Sequence, residues 1–286
     1  MGKAAQSFAD WRLRENLIEY DFYFKKFERL LRSLFKWNNL PKGVSQRFIE
    51  DKLFHNGLLI FYKSPKLGFY VITIATPIGF NAYEEPTAYK SITVNGLSEY
   101  VPAIDCVPIW NDMFMESNVN NVNFFAKSLS NIKKTFDINL EQLKNPYLIS
   151  CPDGQRTTVQ AVMNKKTNGE PYILVDDSFD QLNRVNVFDL KIQSHLKELT
   201  EAKKEVMNEG LTFFGINNVN VVKAERLVTG EANQNNEEID LNVGFMYEAR
   251  EQAVKLINER FGLNIEVEIN KDIEKEIQNF MSEKVD

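Results

Sequence analysis

Two stretches of the chain set its architecture: Leu211–Asp240, LTFFGINNVNVVKAERLVTGEANQNNEEID, and Tyr247–Ile269, YEAREQAVKLINERFGLNIEVEI. The first reads as a helix end running into a long polar loop, Asn217 to Asp240, with Asn233, Gln234, Asn235 and Asn236 beside Glu237 and Glu238. The second places Tyr247, Arg250, Val254, Ile257 and Phe261 on one helical face and Gly262 at a left-handed cap. Leu263, Ile265, Val267 and Ile269 then alternate with polar residues as a strand. No cluster suited to catalysis interrupts this order, which reads as an assembling part rather than an enzyme.

Upstream, Leu13, Leu17, Tyr20, Phe24, Phe27, Leu31 and Leu34 recur at steps of four and three, the stripe of a long helix that covers a core and is closed off by Pro41 and Gly43. Asn56-Gly57 breaks the chain before Leu58 to Tyr62. Phe69 to Ala75 and Ile92 to Val94 carry the β-branched and aromatic residues of a β region that reaches about Trp110. Val122, Phe125, Leu129, Ile132, Phe136, Leu140 and Leu143 predict a second long helix ending before Pro146. Short apolar runs between Pro152-Asp153-Gly154 and Asn168-Gly169 make Tyr147 to Phe188 a small strand-rich insertion. A third long helix is expected from Asp189 to Phe214, with Leu196, Leu199, Ala202, Val206 and Leu211 inward. Gly210 inside it marks either close helix packing or a contact between copies. Lys271 to Lys284 reads as a short charged helix or tail.

Composition narrows the function classes. The chain has 286 residues, 43% of them hydrophobic, with 21 Phe and 10 Tyr, enough for a substantial core and for subunit contact. A formal charge of −6 argues against tight wrapping of nucleic acid, since neutralising phosphates needs clustered Lys and Arg. Cys106 and Cys151 are isolated and read as buried or reduced thiols, in a cytosol-like compartment. No apolar run reaches the roughly 18 residues a membrane span requires. His55 and His195 stand far apart and read as structural or exposed.

There is no phosphate-binding loop, no dinucleotide fingerprint and no nucleophile elbow, so neither a cofactor nor a bound metal is expected. Asp176, Asp177 and Asp180 could in principle hold a divalent cation, although their turn-like setting reads as a solvated loop. Lys197, Glu198, Glu201, Lys203, Lys204, Glu205 and Glu209 give the third helix a mixed-charge face, ordinarily a wet surface. Lys223 and Arg226, opening the polar loop, are candidates for transient phosphate contacts.

Several runs carry a family resemblance. They are Leu34 to Pro41, Phe48-Ile49-Glu50 leading to Gly57 and Phe61-Tyr62-Lys63, and Thr212 to Asn218 with Glu225 to Thr229. The last is Arg250-Glu251 with Ile257-Asn258-Glu259 and Gly262-Leu263-Asn264. In order and spacing they resemble the upper-collar connector, or portal protein, of small short-tailed phages. The resemblance implies an α+β, mainly α, subunit. Residues 1–115 would form a wing, 116–145 a stem helix, 146–188 a β-rich clip, 189–216 a second stem helix, 217–240 a channel loop and 241–286 the rest of the wing.

It further implies a ring of about twelve copies around a channel for double-stranded DNA in a virion assembled in the host cytoplasm. The major capsid protein, a lower-collar or tail protein and a separate packaging ATPase would be partners, without membrane. Lys223, Arg226, Asn233 and Asn235 would line the channel loop, and Lys197, Glu201, Lys204 and Glu205 the stem's channel face. Two departures stand out: Met1 to Asp10 carries only Lys3 where relatives have a basic arm, and Lys223-Ala224 stands where relatives can have adjacent lysines. The competing readings are a monomeric virion adaptor or scaffold, and a metal-dependent nuclease built on Asp176, Asp177 and Asp180.

Overall fold

Ser33 and Leu34 donate their backbone N–H groups to carbonyls only three residues back, at 3.2 Å each, and this tightening ends the first helix, α1 (Lys3–Arg32). The expected continuation to Pro41 is corrected: Phe35–Asn38 is a strand, β1. Phe35 and Trp37 face inward and the strand pairs antiparallel with β9 (Glu266–Ile269) near the C-terminus, Trp37 opposite Val267. Tertiary pairing overrides a helical stripe here, because alternating burial of two large aromatics needs the two-residue period of a strand. At the other end of the stripe Leu17 is 65% exposed, while Phe27 and Leu31 are buried.

The structure, a computed structural model, describes residues 3–93, 96–144, 147–150, 157, 186–189, 194–217 and 229–270. The chain divides into one unit of Met1–Ser130 with Glu205–Asp286 and another of Asn131–Lys204.

In the first unit, helix α2 (Gln46–Asn56) ends at Gly57 and leads into the sheet expected up to Trp110. The strands are β2 (Leu58–Lys63), β3 (Tyr70–Phe80), β4 (Pro86–Ile92), β5 (Ser98–Pro102) and β6 (Cys106–Trp110), in the antiparallel order β5-β4-β3-β2-β6. Three strand spacings, about 14 Å if flat, separate β2 from β5. Yet Tyr62 on β2 donates its hydroxyl to Glu99 on β5 at 2.6 Å. The sheet is therefore curled on itself, with Leu58, Ile60, Tyr89, Val101 and Cys106 in its concave interior.

Its other face, through Leu59, Phe61, Ile72, Val107 and Ile109, joins a larger core with the helices. There Val122, Phe125 and Leu129 of α3 (Val119–Lys144) meet Phe27 of α1, Leu211 of α4 (Leu196–Phe213) and Phe214 just past its end. Gly210 of α4 leaves room for this crossing, since a Cβ there would lie 2.9 Å from the Phe27 ring and 3.2 Å from Phe125. Close packing inside the subunit explains that glycine.

The run Thr212–Asn217 turns out to be a helix stop. Gly215, at φ +67°, donates its N–H to the Thr212 carbonyl at 2.9 Å and Ile216 donates to Leu211 at 2.8 Å, the paired bonds of a Schellman cap. A Cβ on Gly215 would come within 2.4 Å of the Val243 backbone, so glycine also permits the close approach of α5 (Thr229–Phe261). Gly262 adopts φ +65° after α5, as the C-terminal reading expects.

The loop expected to reach Asp240 is corrected, because α5 begins at Thr229. The polar Asn233–Glu238 run hides a helix whose apolar positions start at Ile239 and continue through Val243, Met246 and Ala253 into the core.

In the second unit, β7 (Tyr147–Ser150) and β8 (Asn186–Asp189) form an antiparallel pair at the two ends of the insertion. The third helix, expected from Asp189, starts at Leu196, because Asn186–Asp189 is committed to that ladder. His195, exposed, donates its backbone N–H to Asn139 Oδ1 at 3.2 Å. The interior of the insertion, with Cys151, Asp176, Asp177 and Asp180, and the tail from Lys271 lie outside the described residues.

Candidate assembly and channel surfaces

Lys197, Glu201, Lys204 and Glu205 occupy steps of four, seven and eight along α4, which places all four on one exposed face. Their signs alternate, and Lys197 Nζ lies 3.9 Å from a Glu201 carboxylate oxygen, a contact worth little at that exposure. Lys203, turned toward α3, is half-buried near Lys133 and Asp137. Burial and the neighbouring Lys133 charge lower its amine's pKa, and Asp137 only partly opposes them. Of the expected channel-loop residues, Lys223 and Arg226 lie outside the described residues, whereas Asn233 and Asn235 fall on the α5 backbone.

Glu28, Asp51 and His55 bring three donor atoms within 4.8 Å of one another, a grouping that sequence spacing did not reveal. Arg32 already fills it, with its guanidinium 2.8 Å from Glu28 and 3.0 Å from Asp51, and Lys52 adds a contact to Asp51 at 3.0 Å. Burial raises the Asp51 carboxyl, but Lys52, Arg32 and His55 outweigh it and hold the group below its usual range. A guanidinium seated between two carboxylates makes this a closed ion-pair network rather than a cation site.

The deepest polar feature is Arg250. It is 2% exposed and donates to both carboxylate oxygens of Glu50, at 2.8 and 3.1 Å, and to the carbonyls of Asn111 and Met246. Its guanidinium also lies 4.2 Å over the Phe35 ring, and Trp37 Nε1 donates to Glu50 at 2.7 Å. One residue pair thus ties α2, α5, β1 and the end of β6 together. The signal in the sequence was an arginine on an apolar helical stripe; its partner, 200 positions away, left none.

Inside the curled sheet a second network surrounds Glu99. Tyr62 and Ser64 donate to it at 2.6 to 3.0 Å, and Leu67 donates its N–H to Ser64 Oγ at 3.1 Å. Burial raises the Glu99 carboxyl, yet bonds from Tyr62, Ser64 and the Lys66 backbone win and lower it. Burial first, then the bond to Glu99, pushes the Tyr62 phenol up to about 12. The Cys106 thiol, buried in the same interior, is pushed up to about 11 by burial.

The surface is rich in apolar side chains that no core explains. Ile18, Phe22, Phe80, Tyr83, Phe114, Phe124 and Phe213 are each about half exposed or more. Phe124 meets the Phe125 ring edge-on and Phe213 meets it at a tilt, and Phe114 meets Phe245 edge-on. Beside β5 a cleft of about 660 Å³ opens between Tyr62–Lys66, Ser98–Asp105 and the C-terminal end of α5. Among the described residues no helix is long and apolar enough to cross a membrane.

The fold is that of a portal subunit. It superposes on a chain of the portal and tail of native bacteriophage P68 with a TM-score of 0.53, at 15% identity, over 99% of this chain and 96% of that one. An HK97 family phage portal protein from Corynebacterium diphtheriae is more distant, at TM-score 0.47 and 9% identity over 90% and 93% of the two chains. The family model for Phage Connector (GP10) matches residues 7–274, and the chain belongs to that family. It is a head–tail connector portal protein, a structural component of the phage virion.

Proposed function

We propose that copies of this protein close into a ring at one capsid vertex and that double-stranded DNA enters and leaves the head through its centre. The observation that carries the reading is the family match over residues 7–274, which leaves little of the chain for another role. The two long helices α3 and α4, with the β7·β8 ladder between them in sequence, support assigning the stem to the helices and the clip to the insertion. In this reading residues 1–115 and 241–286 form the wing. About twelve copies, as the family resemblance implies, would carry a formal charge near −72.

The exposed α4 face then lines the channel. Lys197 and Lys204 alternate there with Glu201 and Glu205, so the wall neither repels a duplex outright nor offers the clustered cations that would hold it. Lys223 and Arg226, with Asn233 and Asn235, supply weak contacts that resist backward slippage. Capsid and tail proteins dock on the two ends, and a separate ATPase drives packaging.

A lysate of the phage lacking this chain is expected to contain heads without packaged DNA. DNA-filled, tailed particles from such a lysate would overturn the proposal.

A further inference from the structure

Two exposed surfaces of the first unit match each other in charge and in aromatic character. One is the turn between β3 and β4. Asn81 Oδ1 accepts the N–H groups of Tyr83 and Glu85 at 2.8 and 3.0 Å, and its own N–H donates to the Glu85 carbonyl at 2.9 Å. These bonds hold Glu84 at φ +63°, a left-handed conformation that a non-glycine residue rarely adopts. The result is a preorganised prong carrying Tyr83, 85% exposed, with the exposed carboxylates of Glu84 and Glu85 beside it. Among the described residues neither carboxylate has a cationic partner.

The other surface is the cleft beside β5. Among the described residues this strand bonds to β4 on one edge and to no strand on the other, where Lys66 Nζ donates to the Ser98 carbonyl at 3.2 Å. Lys63, Lys66 and Arg260 stand exposed on the rim with Asp105, and Tyr100, Ile104 and Phe261 supply apolar wall. The Glu99 carboxylate is held by Tyr62 and Ser64 and attracted by Lys66, so the rim sets three cations against Asp105 and Glu99. The rim is therefore net cationic and aromatic, and the prong anionic and aromatic.

A ring of identical copies needs heterologous contacts, in which every copy presents one surface and a different, complementary one. Resting on the ring assembly proposed above, we infer that the Asn81–Glu85 turn of one copy seats in the β5 cleft of the next. Glu84 and Glu85 face Lys63, Lys66 and Arg260, and Tyr83 packs against Tyr100 and Ile104. The charges set the register of neighbouring copies and the tyrosine anchors the contact.

The test uses the full chain. The double variant Glu84→Lys/Glu85→Lys is expected to raise the concentration at half-assembly by about tenfold, as is Lys63→Glu/Lys66→Glu. Mixing these two variants makes both contacts between unlike copies charge-matched and brings assembly back toward wild type. Separately, Tyr83→Cys protein mixed with Ile104→Cys protein is expected to give a disulfide-linked dimer under mild oxidation, above the wild-type background. Wild-type rings with unchanged assembly of the charge variants and no cross-link would overturn this contact and leave the ring standing. A wild type that stays monomeric at high concentration would overturn both.

Discussion

The two buried polar networks of the first unit solve one problem in opposite ways. Arg250 and Glu50 keep both charges in the helical core, 2% exposed on each side, and surround them with carbonyls, an indole and a phenyl ring. Glu99 sits in the curled sheet as a single carboxylate satisfied by hydroxyls and a backbone amide. The first arrangement joins segments 200 residues apart and fails when either partner is lost. The second joins β2 to β5, three places apart in one sheet, across its interior, and can lose a donor without stranding a charge. The ion pair fixes how the terminal helix meets the rest of the unit, and the hydroxyl network tunes the curl of one sheet.

The contrast is broken most sharply at Arg250. Arg250→Met leaves Glu50 buried and unpaired, and is expected to cost about 3–5 kcal/mol of unfolding free energy in a urea titration. Adding Glu50→Leu to it should recover most of that loss, because removing both charges also removes their desolvation. Equal destabilisation in the single and double variants would mean that packing, not charge, holds this junction.

Glu99→Gln should cost less, about 1–3 kcal/mol, since the amide keeps an acceptor for Tyr62 or Ser64 but not for every donor. It should also change the acid response. A carboxyl lowered in the fold contributes stability above its unfolded pKa and loses it as pH falls through the folded value. Wild-type melting temperature should therefore drop more steeply than the variant's below about pH 4.

At the alkaline end the sign reverses. Tyr62 and Tyr89 are both pushed up to about 12, Tyr89 by burial first, so their contribution is complete below about pH 10 and is lost as pH rises toward 12. Tyr62→Phe should flatten that limb in a melting series. The smallest effect is expected from Ser64→Ala, about 0.5–1.5 kcal/mol, because Tyr62 still donates to Glu99.

How much of this was legible follows from the range of each interaction. The α3 stripe of Val122, Phe125 and Leu129 and the sequence helix, Gly262, strand at the C-terminus were readable because local periodicity reports local burial. Phe35–Asn38 was misread because its partner strand, Glu266–Ile269, lies at the far end of the chain. Thr229–Asp240 was misread because asparagines and glutamates look like loop until Ile239 and Val243 are seen anchoring the helix from within. The family resemblance rested partly on Glu50 and Arg250, whose pairing only the structure reveals. The prong at Asn81–Glu85 left no mark in hydropathy, since its shape comes from side-chain to backbone bonds.

Whether copies of this portal subunit close into a ring is read out by native mass spectrometry of the purified protein. A single closed assembly of many 33.2 kDa chains is expected, near 400 kDa for about twelve. A species that remains at one chain's mass at high concentration would contradict it.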